Sequence, residues 1–205
     1  MRHRVLEEGA RLFAAHGMAG TSFRDIAEAA GVSVSLIQHH FGTKESLYAA
    51  VKAHAVETYA RSRGESLAIP GDELDLFLER GLRQLFRFFE ASPEWSRLVT
   101  WGQLEGDVGM WPGEDELVDR LARKLRAAQG SGRVAGDIDA ELLLIATAGL
   151  MKAWVTHRER HAHRLTHLGD HDAQERAYLQ LCARLLLAAT GAAAPTTAPA
   201  SGKSK

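Results

Sequence analysis

A single cysteine, Cys182, stands in the whole chain, so no internal disulfide is available and the fold must rest on packing alone. That usage fits a reducing compartment, and a cytoplasmic protein is the expectation. No apolar run reaches the ~20 residues needed to cross a bilayer. The charged start, Met1 to Val5, has no apolar stretch behind it, so no signal peptide is expected. Strand-like alternation is missing as well, which leaves helices. The sequence also lacks a nucleophile–base set, a phosphate loop and a credible metal site, so an enzyme is not expected, and neither is a cofactor. Finally, there is almost no net charge: −1 over 205 residues. That value hides a small asymmetry, because residues 1–63 carry 8 Lys and Arg against 6 Asp and Glu, whereas the remainder is net acidic. Affinity for a polyanion would have to come from local placement and not from a global field.

What is present is helical periodicity, with 45% hydrophobic residues to supply a core. Val5 to His16 places Leu6, Ala10 and Phe13 on one face, with Gly17 just beyond. Ser22 then stands three residues before Asp25 in capping-box position, ahead of Ile26, Ala27 and Ala30. Gly31 can adopt positive φ and reverse the chain, Val32 can plug the turn, and Ser33 caps a second short helix. In that helix Ile37 and Phe41 face inward, while Val34, Ser35, Gln38 and His39 face out. Thr43 caps a longer helix running to about Arg63. The pattern is a helix-turn-helix with small and polar side chains on the exposed face of its second helix.

The runs T-S-F-R-D-I-A-E-A-A-G-V-S (Thr21 to Ser33) and H-H-F-G-T-K-E-S-L-Y (His39 to Tyr48) resemble the DNA-binding domain of TetR-type transcriptional regulators. The resemblance implies a homodimer on a palindromic duplex, released by a small molecule bound in a variable C-terminal domain. It departs at Ser35, where glycine is frequent, and at Gln38 and His40, where tyrosine is. Chemistry assigns roles within the stretch. Thr21 and Ser22, with the free amides at their helix start, suit a phosphate. Ser33, Ser35, His39 and His40 can reach base edges or phosphates, and Val34 suits a thymine methyl. Gln38 can pair bidentately with adenine. Lys44 opposes the dipole of its own helix, which an external anion would explain.

The expected architecture is all-α: a helix-turn-helix domain over residues 1–63, a larger helical domain over 64–190, and a disordered tail over 191–205. Gly64 to Gly71, with Pro70, is the boundary. Asp72 is expected to cap a helix with Leu74, Leu78, Leu82, Leu85 and Phe89. Ser92-Pro93 opens the next helix, and Pro112 with Glu114 to Glu116 another, followed by a loop over Gln129 to Gly136. The aromatic-rich middle suggests a pocket for a hydrophobic or aromatic ligand, lined by Leu85, Phe89, Trp101, Leu104, Leu121, Leu125, Ala146, Leu150 and Trp154. Gln103, Glu105, Lys152 and His157 are its candidate polar handles. The segment from Ile138 to about His157 is apolar all round and needs cover on every side. With the last helix, Ala173 to Ala189, it is expected to form a four-helix dimer interface through Leu143, Leu150, Trp154, Leu181 and Leu185. The histidines from His157 to His171 invite a metal, but the arginines among them argue for a solvated helix end, and no metal site is expected. The rival reading is a small-molecule carrier whose helix-turn-helix is vestigial.

Overall fold

The computed structural model describes residues 1–64, 74–130 and 137–189, with the side chains of 74–79, 187 and 189 also left aside. Among the described residues there are nine α-helices and no strand. They are α1 (Arg2–His16), α2 (Phe23–Ala30), α3 (Val34–Phe41), α4 (Lys44–Ser62), α5 (Leu74–Ala91), α6 (Pro93–Glu105), α7 (Glu114–Gly130), α8 (Ala140–His161) and α9 (His171–Ala189). Two 3-10 turns, Ala162–Arg164 and Thr166–Leu168, join α8 to α9.

Local chemistry sets most boundaries in the first half. The Ser22 hydroxyl accepts from the Asp25 amide and the Asp25 carboxylate accepts from the Ser22 amide, closing the capping box. Gly31 ends α2 in the left-handed region at φ 66°, ψ 40°, a conformation that costs any β-carbon-bearing residue energy. Ser33 and Thr43 cap α3 and α4 by accepting from the amides of Leu36 and Ser46. Farther along, helix ends depart from what local spacing predicts. Ser92 precedes Pro93 as expected, but its hydroxyl makes no capping bond. Helix α7 continues through Gly130, into the stretch expected to be loop. Asp139 caps α8, which runs four residues beyond His157. The expected boundary at Gly64 to Gly71, the Asp72 cap, the side chains of Leu74 and Leu78, loop residues 131–136 and the tail from 191 lie outside the described residues.

Two apolar cores result. The first gathers Val5, Leu6, Phe13, Ile26, Ile37, Leu47 and Val51 from α1 to α4, and also Trp95 and Leu98 from α6. The second gathers Leu82, Phe86, Leu121, Leu125, Met151, Cys182 and Leu186 from α5 and α7 to α9. Helix α6 therefore packs on α1 and completes the core of the N-terminal unit, although it lies beyond the expected boundary in sequence. Polar contacts reinforce this seam. The Trp101 indole donates to the Ala14 carbonyl (3.2 Å), and the Glu105 carboxylate accepts from the amides of Met18 and Ala19. Lys52 Nζ on α4 meets Asp107 Oδ2 at 2.6 Å, with the ammonium 4.9 Å from the Tyr48 ring.

Candidate nucleic-acid interface and cavity

Helices α2 and α3 put one face into the first core and leave the other in solvent. Ile37 and Phe41 are buried; Ser35, Gln38, His39 and His40 are exposed on α3. The His39 and His40 rings meet edge to face at 5.3 Å, so the two imidazoles form one block at the end of the helix. Ser33 Oγ caps α3 and shares a hydrogen bond with Ser35 Oγ (3.0 Å). Gln38 is the amide of this face, with both donor and acceptor in solvent.

Four assignments change in detail. Thr21 is 2% exposed and its hydroxyl donates to the Gly17 carbonyl (2.9 Å), so its side chain serves the α1–α2 loop and is turned away from any external phosphate. Ser22 spends both its amide and its hydroxyl on Asp25, leaving the Phe23 and Arg24 amides at the helix start. Val34 is half-buried against the first core and offers only part of its surface outward. Lys44 has an internal reason to stand where it does: its ammonium donates to the Thr21 carbonyl at 3.1 Å, tying the start of α4 to the start of α2. Two further N–H groups remain on that ammonium for an anion. Arg24, exposed in the first turn of α2, was overlooked in the sequence although it breaks the dipole rule just as Lys44 does. Asp25 in the same turn is held below the usual carboxylate range by its bonds to Ser22, so the capping box persists at neutral pH.

Between α4 and the second core lies a cavity of about 740 Å³, lined from α4, α5, α6, α7 and α8 and from the 107–111 loop. Of the residues expected to line a pocket, Leu85, Phe89, Leu121 and Leu125 do so. Trp101 instead packs against Gly17 at the seam, and Leu104 is 73% exposed. Ala146 faces solvent, Trp154 stacks on Tyr178 at 4.5 Å, and the Leu150 carbonyl accepts from the Tyr178 hydroxyl. Those last contacts fasten α9 to α8. Gln103 reaches the cavity; Glu105, Lys152 and His157 do not. Tyr59, Phe88, Trp95, Met110 and Trp111 complete the apolar wall, and Asp107 brings the Lys52 ion pair to its edge.

The expected interface residues also divide. Leu143 and Trp154 are buried within the subunit, and Leu150 is half-buried. Leu181 and Leu185 are each 51% exposed. On α8 the outward stripe is Leu142, Ala146, Gly149 and Ala153, with Leu142 65% exposed. A helix apolar on every side carries no moment to say which face turns in; in the bundle Leu143 and Trp154 turn inward and their neighbours Leu142 and Ala153 turn out.

Among the histidines of the 157–171 segment, only His171 joins a potential ligand cluster, with Glu90 and Glu175, their ligand atoms within 4.8 Å of one another. Arg158 already balances Glu90, at 2.7 Å. His157 and His161 are exposed and stand apart from that cluster.

Comparison with known proteins follows the same division of the chain. Residues 5–51 match the family described as "Bacterial regulatory proteins, tetR family", and residues 82–184 match "Tetracyclin repressor-like, C-terminal domain". The HTH-type transcriptional repressor AcnR of Corynebacterium efficiens is 29% identical over 76% of this chain and 80% of its own length. AcnR of Corynebacterium glutamicum is 30% identical over 69% of this chain and 73% of its own length. The solved structure of SCO4942 from Streptomyces coelicolor superposes with a TM-score of 0.71 at 25% identity, covering 90% of this chain and 97% of the other.

Proposed function

The chain belongs to the tetR family of bacterial regulatory proteins, and from that premise we propose that it is a homodimeric transcriptional repressor, released from a palindromic operator by a small apolar ligand. The observation that carries the reading is the exposed, polar face of α3 on a rigidly capped helix pair. Gln38 would read adenine in the major groove, with Ser35 and His39 beside it. Lys44, Arg24 and the amides at the start of α2 would hold phosphates and set the register.

Two copies are needed because one eight-residue recognition helix covers a single half-site. Leu142, Ala146, Gly149 and Ala153 are exposed on α8, and Leu181 and Leu185 are exposed on α9, a helix that packs against α8. Pairing these two helices with their symmetry mates would form a four-helix interface, with the small residues of α8 allowing close approach. The cavity supplies the ligand site, and its wall includes α4, the helix that leads out of the helix-turn-helix. A ligand that alters the packing of α4 would change the spacing of the two recognition helices. No described helix is long and apolar enough to cross a membrane, and we place the protein in the cytoplasm with its DNA.

Selection of duplexes from a random pool, followed by footprinting, tests this reading. The expected product is an inverted repeat whose half-sites lie about one helical turn apart, bound with a steep inverse dependence on salt. Recovery of no sequence over background from well-folded protein would favour the carrier reading, because a carrier shares the cavity but has no operator.

A further inference from the structure

The charges at the cavity are unequal. Among its described lining residues there are five carboxylates, on Asp107, Glu114, Asp115, Asp119 and Glu141, and a single cation, Arg63. Neighbours outside the wall offset two of the five: Lys52 pairs with Asp107 and Arg126 with Glu141. Glu114 accepts from the Trp111 amide, a contact that leaves its charge in place. Asp115 and Asp119 are exposed, stand one turn apart on α7, and make no ion pair among the described residues. Counting Arg63 and these two ion-pair partners, carboxylates still outnumber cations at the described cavity wall, five to three.

Behind that edge the wall is aromatic. Tyr59, Phe88, Phe89, Trp95 and Trp111 present ring surface, and ring faces attract cations. Trp95, which lines the cavity, also has a buried indole N–H with no partner, a donor that a ligand's acceptor atom could satisfy. Anionic amphiphiles fit poorly, since carboxylates at the edge would repel the head group.

We propose that the effector is a lipophilic cation, an aromatic or otherwise bulky apolar body bearing one positive charge that rests at the Asp115–Asp119 edge. The inference relies on the cavity being the effector site, and the test separates the two claims. Full-length protein is loaded with Nile red, a neutral apolar dye, which is then displaced by tetraphenylphosphonium or by tetraphenylborate, ions of nearly the same shape and opposite charge. Tetraphenylphosphonium should displace the dye at a concentration about tenfold lower. In the double variant Asp115→Asn, Asp119→Asn that ratio, measured relative to the variant's own affinity for Nile red, should fall toward one. Equal or better displacement by tetraphenylborate, or no displacement by tetraphenylphosphonium, overturns the charge assignment. If Nile red is not taken up, or is taken up equally after Val118→Trp narrows the cavity, the cavity reading fails and the cation proposal falls with it.

Discussion

Separating Lys52 from Asp107 should destabilise the protein by an amount that depends on which partner is removed. The Lys52 side chain is 9% exposed and that of Asp107 is 40% exposed, with 2.6 Å between their charged atoms. At an effective dielectric of about 20, unit charges roughly 4 Å apart attract by about 4 kcal/mol; water at the Asp107 side reduces this to about 2 kcal/mol. Asp107→Asn leaves a buried ammonium facing a neutral amide and should cost about 2 kcal/mol. Lys52→Met leaves a carboxylate that water can reach, and should cost about 1 kcal/mol despite losing the contact with the Tyr48 ring. The double variant, which no longer buries an ammonium, should resemble Lys52→Met alone, giving a coupling energy of about 2 kcal/mol in a urea-unfolding cycle. Free energies that add to within ~0.5 kcal/mol would refute the reasoning, because two independent residues cannot be joining α4 to the cavity loop.

Other outcomes follow from the same geometry. Leu98 is fully buried in the N-terminal core although it comes from α6, so Leu98→Ala should cost about 3 kcal/mol and lower operator affinity, both seen by melting and DNA titration. The Tyr48 hydroxyl is buried with no partner, and burial, with the Asp107 and Glu105 carboxylates, pushes its pKa from 10 up to about 12. The raised value means that its contribution is intact below pH 10 and is lost as pH rises through about 12. Tyr48→Phe should leave the neutral-pH stability equal or higher by up to ~1 kcal/mol and flatten the alkaline limb of a pH–stability curve. Leu185, 51% exposed on α9, should be replaceable by Glu without loss of helix content, while sedimentation shifts from dimer toward monomer.

What could be read from the sequence was what local chemistry decides. Ser22, Gly31, Ser33 and Thr43 fix their helix ends through contacts only a few residues away, so spacing alone exposed them. The polar face of α3 followed, because Ile37 and Phe41 leave only one side for the core. Long-range partners stayed hidden. The buried bond from Thr21 to Gly17 and the Lys44 contact with the Thr21 carbonyl depend on how the α1–α2 loop folds back. Trp101 looked like a pocket residue because an aromatic at helical spacing does not declare its neighbour; its neighbour is α1. The α6 helix joins the N-terminal core across a glycine- and proline-containing stretch that looks like a boundary in sequence. The facing of α8 stayed hidden for a different reason: Leu142 and Leu143 are equally apolar, and only the packed bundle distinguishes them.

The central claim is that the exposed face of α3 reads a DNA sequence as part of a two-fold pair. Titration of a selected duplex and of its scrambled counterpart, with wild type and Gln38→Ala, tests it most directly by fluorescence anisotropy with stoichiometry. The expected result is two protomers per selected duplex, weak binding to the scrambled one, and a loss of about tenfold or more on the selected duplex for Gln38→Ala, with residual nonspecific binding unchanged. Equal retention of both duplexes by wild type, or saturation by one protomer with no effect of Gln38→Ala, would contradict it.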